Sequence, residues 1–374
     1  MDVHGNRELI YEGLHHAWYA IPVRPRPVPP RQPDLVAWPG TGAERKPAQP
    51  GVFYSGDVCQ GVPDLPRGRV KYLRVFQQDA KTYSTWSKIF AFSGPAVSAV
   101  QSEAVKRIVT TVPVEQDGSV YFAVPAGRAL FFQLLDEQQR AVHTMRSFTG
   151  VLPGEQRGCV GCHSMHSTAP PNTPGLASRH PPTALSPPPW GAETISYERF
   201  VQPVLDRYCA KCHQGAGAAR KKLDLTLRPA AGAFALFKEP YLTLIGPAAW
   251  PDPVPHTGQA GYGIAGVIPV YGLKPEDVYP NDPATDGFST IHRTLRPLRY
   301  LSARSPLIEL AMSGKHHDVK VDPAALLRLI AWVDANGPFL GEEEIRVMPD
   351  PEFDGIDKLP IRPRLKTAPV MERP

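Results

Sequence analysis

Two copies of the pentapeptide Cys-x-x-Cys-His are the residues of this chain best suited to chemistry. They occupy residues 159–163 and 209–213 and take four of the five cysteines. Two thiols three residues apart can add to the two vinyl groups of one porphyrin, and the histidine that follows can reach the iron. The pattern therefore predicts two c-type haems. The predicted ligating residues are Cys159, Cys162 and His163 for the first haem and Cys209, Cys212 and His213 for the second.

Zinc binding is the main alternative use of these cysteines. Two Cys-x-x-Cys pairs can hold one Zn²⁺ through four thiolates. The first cysteines of the pairs are 50 residues apart, whereas a compact zinc ribbon has a spacer of about 15–20 residues. A four-thiolate site also does not need the histidine after each pair. The spacing favours haem. A structural zinc-binding or surface protein stays the alternative, and a pair of buried disulfides is a third, less favoured use of these cysteines.

The second axial ligand of the second haem is predicted to be His316, within residues 313–318. Met312 is the competing candidate and would raise the reduction potential, as Met/His ligation does in cytochromes c. From spacing alone, His316 and His317 can equally be two solvated loop histidines. The residues themselves leave these alternatives open.

Two further residues are candidate metal ligands near the first haem. His166, three residues after His163, can replace it on iron, bind a second metal, or have no ligand role. Cys59 is the fifth cysteine and is either a buried apolar thiol or a zinc ligand. In the second case Asp57 is a nearby oxygen donor.

The composition is that of a globular chain long enough for more than one domain. Of 374 residues, 42% are hydrophobic and 21% charged, and 44 are proline, a proline content more than twice the usual ~5%. The net charge of +5 comes without a Lys/Arg run long enough to suggest nucleic-acid binding, so no nucleic-acid partner is expected. No stretch of 18 apolar residues occurs, so no membrane span is expected.

The N-terminus lacks the basic and apolar regions of a secretory signal. Because c-type haem is normally attached outside the cytoplasm, we nevertheless expect a periplasmic or otherwise extracytoplasmic protein. The conflict is resolved if Met1 is an internal methionine of a longer protein whose leader precedes it.

The elements that position these residues change type along the chain. Short strand-like runs with period-2 alternation precede the first haem motif, and the Asp-Gly pair at 117–118 predicts a hairpin turn. Helical spacing follows from residue 195, although much of 214–300 is Gly/Pro-rich and is interpreted as inserted loop. The predicted domains are an N-terminal connector (1–50), a β-rich middle domain (51–167), a Pro-rich linker (168–194), a cytochrome c domain (195–345) and a tail (346–374).

Helix boundaries are signalled by caps and prolines. Ser196 is a predicted N-cap, and Pro203 is expected to kink the helix that leads into the second motif. Ser305-Pro306 and Asp322-Pro323 each predict a helix start, and Gly314 predicts the end of the first of these two helices. The predicted fold class is α+β multidomain, with a β-sandwich-like N-terminal module followed by a mainly α, class I-like cytochrome c domain.

Several stretches resemble the middle domain of the hydrazine synthase alpha subunit and its relatives. They are residues 53–61, 67–75, 114–119, 144–148 and 157–163. The C-terminal half, with residues 209–213 and 316–320, resembles the cytochrome c domain that follows it in this family. The likeness covers roughly residues 1–345. It implies that residues 1–15 are the last strand of a preceding propeller and that His316 is a distal haem ligand.

The resemblance also bears on the first haem. In hydrazine synthase the histidine of the first motif binds zinc, and a tyrosine shortly after it binds iron. Residues 164–170 of this chain contain no tyrosine, which argues against hydrazine synthesis itself. A zinc shared by His163 and Cys59, and iron ligation by His166, follow as hypotheses.

The sequence thus predicts a dihaem c-type cytochrome that transfers electrons through its two haems. The first alternative is a haem oxidoreductase acting on a small nitrogen species or peroxide at the first haem. The expected partners are a redox protein or a small substrate, and the chain is a candidate oligomer.

Overall fold

The computed structural model describes about three fifths of the chain. The described residues are 25, 37–40, 43, 45–62, 64–79, 97–100, 104–161, 174–230, 237–246, 263–268 and 295–347. Residues 1–35 and 36–374 are separate units, and the first is described only at Pro25. The predicted propeller strand, most of the N-terminal connector and the tail after Val347 therefore lie outside the described residues.

Two β-sheets form the N-terminal part. The first has strand order β4–β1–β7 and the second β3–β2–β5–β6. All neighbouring strands are antiparallel except β1 and β7, which are parallel. The strands are β1 (Gly51–Ser55), β2 (Tyr72–Asp79), β3 (Val105–Pro113), β4 (Val120–Val124), β5 (Ala129–Leu135), β6 (Ala141–Thr144) and β7 (Gln156–Cys159).

The inner faces of the two sheets share one hydrophobic core. On β1 and β4 every second residue is buried, as expected for strands with one covered face. Phe53 and Phe122 from the first sheet meet Phe132 of the second, with ring centroids 5.1 and 5.7 Å from it. This packing of one sheet on the other is the predicted β-sandwich-like arrangement.

The second sheet is buried on both faces. Leu73 and Val75 of β2 point into the sandwich core, while Phe76 belongs to a larger core shared with the helices. Phe76 stacks on Phe131 of β5 with centroids 4.8 Å apart. The sheet thus lies between the sandwich core and the helical part, and the residues from Val36 onward are one compact unit.

The Asp117-Gly118 turn forms, but it does not close a hairpin. Gly118 N–H donates to Glu115 O (2.9 Å) and has a φ of +90°, a value that favours glycine. The strands on either side, β3 and β4, belong to different sheets. The hairpin prediction was wrong because packing of the hydrophobic core, rather than the turn, determines which strand pairs with β4.

The described part of the Pro-rich segment, residues 174–194, is attached to the sandwich. Thr183 N–H donates to Tyr121 O (2.8 Å), and Thr183 O accepts from Ala123 N–H (2.9 Å), so the segment adds to the edge of β4. Farther along, Trp190 packs edge-on against Phe200, with centroids 5.1 Å apart. The segment therefore joins the β-rich part to the helices along a defined path.

The C-terminal part is helical, with short 3₁₀ turns. Its first helical stretch breaks at Val201, just before Pro203, as the proline predicts. The helices are α1 (Tyr197–Phe200), α2 (Gln202–Tyr208), α3 (Ala210–His213), α4 (Ala218–Lys222), α5 (Glu239–Ile245), α6 (Pro306–Ser313), α7 (Pro323–Asp334) and α8 (Glu342–Val347). Helices α4 and α5 lie in the region that the sequence suggested was mostly loop.

The caps predicted for α6 and α7 are present. Ser305 and Asp322 accept hydrogen bonds from backbone N–H groups of the first turn of each helix, with proline next in sequence. Gly314 ends α6 with a φ of +63°. Ser196 lies at the start of α1, but its hydroxyl donates to Glu344 (2.8 Å) instead of capping the helix.

A buried ion pair joins the sheet to the end of α7. Arg74 Nη1 on β2 donates to Asp334 Oδ2 at 2.7 Å, with both side chains almost fully buried. Asp334 Oδ1 also accepts from Ser302 N–H (2.9 Å).

The order of a β-rich region followed by helices confirms the α+β prediction.

Candidate haem site

The second Cys-x-x-Cys-His motif lies where α2 passes into α3. Cys209 N–H donates to Leu205 O (2.8 Å), and His213 N–H donates to Cys209 O (2.9 Å), so helical hydrogen bonding continues through the motif. Residues three and four apart on a helix share a face. Cys209, Cys212 and His213 accordingly line the same cavity.

The cavity has a volume of about 350 Å³ and lies among α2, α3, α6 and α7. Its wall is mostly aliphatic and includes Leu205, Leu244, Leu307 and Leu329. Such a wall suits an apolar macrocycle, because ligand pockets bury most of their ligand against hydrophobic side chains. Two thiols and an adjacent imidazole are the groups that attach a c-type haem, and a second imidazole lies at the same apolar cavity.

His213 is held in one orientation by a backbone carbonyl. Its Nδ1 lies 2.9 Å from Leu223 O, which places the ring proton on Nδ1 and leaves the Nε2 lone pair free. This arrangement is the common one for metal-binding histidine, since the second hydrogen bond fixes the tautomer and ring direction. The carbonyl oxygen of Leu223 is a functional group that the sequence analysis missed, because a backbone atom carries no residue-type signal.

His316 faces His213. Their ring centroids are 6.1 Å apart, and the ring planes differ by 17°. A metal-bound imidazole nitrogen lies about 2 Å from the metal. The ring centre is about 1 Å farther, so two imidazoles on opposite sides of one metal have centroids about 6 Å apart. The ring spacing is thus compatible with two histidines that would hold one metal ion between them.

The rival ligand Met312 does not line the cavity. It is half-buried against the main core, whereas its neighbour Ala311 and the loop residues His316 and His317 are in the wall. His317 is exposed, and its ring is 5.0 Å from that of His316 at an interplanar angle of 76°. The geometry therefore brings His316, and not Met312, to the side of the cavity facing His213.

Burial disfavours the charged forms of the Cys209 thiol and the His316 imidazole. Desolvation, with a smaller effect of Cys212, raises the pKa of Cys209 to about 11. Desolvation also lowers the pKa of His316, as do the nearby His317 and His213. A neutral imidazole has the free lone pair that iron needs.

The first motif is described only in part. Cys159 ends β7 beside Ser55 of β1 and is half-buried against the sandwich core. Desolvation raises its pKa, partly offset by Arg157. Gly161 lies so close to Gln60 O that a Cβ would be 2.4 Å from it. Cys162, His163 and His166 lie outside the described residues, so their predicted roles stay predictions.

Cys59 is a buried thiol in the sandwich core, 7% exposed. Its N–H donates to Asp57 Oδ1 (2.9 Å), while Asp57 Oδ2 accepts from Arg67 (2.5 Å). Desolvation raises the thiol pKa, as does the charge of Asp57. Within the described part of the chain, no group of three or more His, Cys, Asp or Glu side chains is arranged to hold a metal ion.

The helices of the described region do not include one long and apolar enough to cross a membrane.

Comparison with known proteins supports the resemblance noted above. Residues 68–164 match the family described as "Hydrazine synthase alpha subunit middle domain". The fold is similar to a chain of "Kuenenia stuttgartiensis Hydrazine Synthase", with a TM-score of 0.50 and 14% sequence identity. That similarity covers 80% of this chain but only 44% of the solved one. Curated protein sequences gave no match.

The family match runs from β2 through the first haem motif, and the fold similarity extends beyond it into the helical part. Residues 68–164 are thus similar to the hydrazine synthase alpha subunit middle domain, and the match supports a hydrazine synthase alpha-like protein.

Proposed function

We propose that this protein is a dihaem c-type cytochrome that transfers electrons. One observation carries the proposal: the His213 and His316 rings lie 6.1 Å apart at a cavity that Cys209 and Cys212 also line. Two thiols, two opposed imidazoles and an apolar wall suit one covalently held haem. The helical part is on this account a cytochrome c domain.

Each residue of the second site has a defined task. Cys209 and Cys212 would form the thioether bonds, and His213 would bind iron through Nε2 while its Nδ1–H donates to Leu223 O. His316 would be the second histidine that holds the iron. Haem bound here would supply a one-electron iron couple. The aliphatic wall keeps water from the macrocycle and favours the less charged, reduced iron.

The first motif is proposed to hold the second haem of the pair, since Cys159 begins the same pentapeptide at the end of β7. The β-rich and helical parts share one core, so the two motifs are attached to a single packed unit. An electron relay between them is part of the proposal. The natural location is then outside the cytoplasm, where c-type haem is attached.

The test is the haem content of protein matured in a periplasm that contains the haem-attachment machinery. We expect two haems per chain for the wild type and one for the Cys209→Ala/Cys212→Ala double variant. Cys59→Ala is the control: it removes the fifth thiol, which is buried in the sandwich core, and no haem should be lost. Zinc measured on the same samples tests the hypothesis that Cys59 binds zinc. A wild-type chain without haem would contradict the proposal and favour the zinc-only alternative.

A haem oxidoreductase is the second candidate, because the family match reaches residue 164 and so includes the first motif. Catalysis on a small nitrogen species or peroxide needs an open axial position. Carbon monoxide added to the reduced protein separates the two functions. Binding at the first haem supports the enzyme, and no binding at either haem supports electron transfer alone.

The surface near the second site favours a negatively charged redox partner. Five exposed lysines lie on α3, on α4 and in the loop that carries His316, and none has an ion-pair partner in the described structure. We call these the ligand-side lysines: Lys211, Lys221, Lys222, Lys315 and Lys320. Positive charge beside a redox centre attracts anionic partners and speeds their encounter. Assembly into an oligomer is also proposed, and light scattering tests it.

A further inference from the structure

A left-handed turn between α6 and α7 carries His316. The turn starts after Gly314 (φ +63°) and contains two further residues with positive φ, His317 (+49°) and Asp318 (+57°). Val319 N–H donates to His316 O (3.1 Å) and closes the turn. The unusual backbone is therefore directly next to the proposed distal ligand.

Two consecutive non-glycine residues with positive φ must be of residue types that tolerate left-handed backbone. Left-handed backbone is disfavoured for residues with a Cβ, and most strongly for β-branched ones. Histidine and aspartate are among the types that tolerate it best. Such conformations persist where the surrounding structure imposes them, and they concentrate at functional sites.

The surrounding structure imposes this turn from both ends. Gly314 terminates α6, and Asp322 caps α7 by accepting a hydrogen bond from Ala325 N–H (3.0 Å). Val319 and Val321 between them lie in the cavity wall. A short segment with both ends fixed can reverse direction through the left-handed region, and the reversal leaves the His316 ring opposite His213.

We propose that the left-handed backbone at His317 and Asp318 positions His316 as the axial ligand, and that the His317 imidazole is not needed for this. The inference rests on the proposed haem binding and assigns His317 and Asp318 as positioning residues. It separates their backbone conformation from their side-chain chemistry.

Three substitutions at one position test it: His317→Gly, His317→Asn and His317→Val. All three remove the imidazole, but glycine and asparagine tolerate positive φ whereas valine does not. The assay is the carbon monoxide affinity of the reduced second haem, measured in a Cys159→Ala/Cys162→Ala background to remove the first haem. Carbon monoxide can bind only when His316 has left the iron, so its affinity reports the released fraction.

We expect His317→Val to raise the carbon monoxide affinity at least about tenfold more than His317→Gly or His317→Asn does, a comparison in which any effect of removing the imidazole from the cavity wall cancels. Asp318→Val and Asp318→Gly should repeat the contrast. Haem content and the melting temperature, recorded for every variant, show whether a variant fails to fold. The Asp318 pair keeps the test valid if His317→Val does not fold.

Two outcomes overturn the inference. Equal release by all three His317 variants would show that the imidazole itself holds the site together. Unchanged affinity in both valine variants would show that the turn does not position His316. A parent protein without haem would instead refute the proposed function, and the inference would fall with it.

Discussion

Lys106 gives the most quantitative prediction about this fold. It lies on β3 and is 5% exposed, and its Nζ donates to Ala335 O (2.9 Å) at the end of α7. Desolvation lowers its pKa to about 7 from the ordinary lysine value of 10.5, and the charge of Arg146 adds to the shift. The lysine therefore lies at the contact between the sheet and the helices in its neutral form at alkaline pH.

The sign of the pH effect follows from this lowered pKa. Between about pH 7 and 10.5 the unfolded chain holds a proton on Lys106 that the folded protein lacks. The unfolding free energy therefore rises with pH across this window. Below and above the window, Lys106 contributes nothing to its pH dependence. One unit corresponds to 1.36 kcal/mol, so the whole window amounts to about 5 kcal/mol.

The assay is urea unfolding of the wild type and Lys106→Met at about pH 8 and pH 9. Over this one pH unit the unfolding free energy of the wild type should rise by about 1 kcal/mol more than that of Lys106→Met. The lost hydrogen bond to Ala335 shifts both values of the variant equally and cancels. Lys221→Met, at an exposed position, should change with pH like the wild type. Parallel curves for wild type and Lys106→Met would refute the reasoning.

Three further predictions test the fold and the surface of the site. Asp334→Ala leaves Arg74 buried without its counter-charge and should lower the unfolding free energy by about 3–5 kcal/mol; a loss under about 1 kcal/mol would contradict the buried pair. Gly118→Ala places a Cβ 2.5 Å from Asp57 Oδ1 at a φ of +90°, so we expect it to lower the unfolding free energy by about 1–3 kcal/mol. Its control is Gly68→Ala, where the Cβ meets open space and the unfolding free energy should change by less than about 0.5 kcal/mol. Oxidation of the reduced protein by ferricyanide should slow with added salt, and Lys222→Gln should lower the low-salt rate about twofold; a salt-independent rate would contradict the role of the ligand-side lysines.

Local signals predicted the elements that hold the second site. The caps at Ser305 and Asp322 were predictable from the sequence because each side chain accepts a hydrogen bond from the first turn of the helix that it caps. The break before Pro203 was legible for the same reason, since proline acts on its own helix. The Cys-x-x-Cys-His spacing likewise placed Cys209, Cys212 and His213 at one cavity without knowledge of the rest of the fold.

Contacts between distant residues were not predictable. Arg74 and Asp334 are 260 positions apart, and no local pattern marks either as half of a buried pair. The choice between His316 and Met312 also needed the structure, because it depends on a left-handed turn that sends one side chain into the cavity wall. The hairpin predicted at Asp117-Gly118 was wrong for a related reason. The turn residues determine the local backbone geometry, but packing of the core determines which sheet the next strand joins.

Mass spectrometry of the peptide that contains residues 209–213 tests the central claim most directly. In protein matured with periplasmic haem attachment, the account predicts that this peptide carries one porphyrin, bound through Cys209 and Cys212. Free or zinc-bound thiols in this peptide, with no added macrocycle, would contradict it.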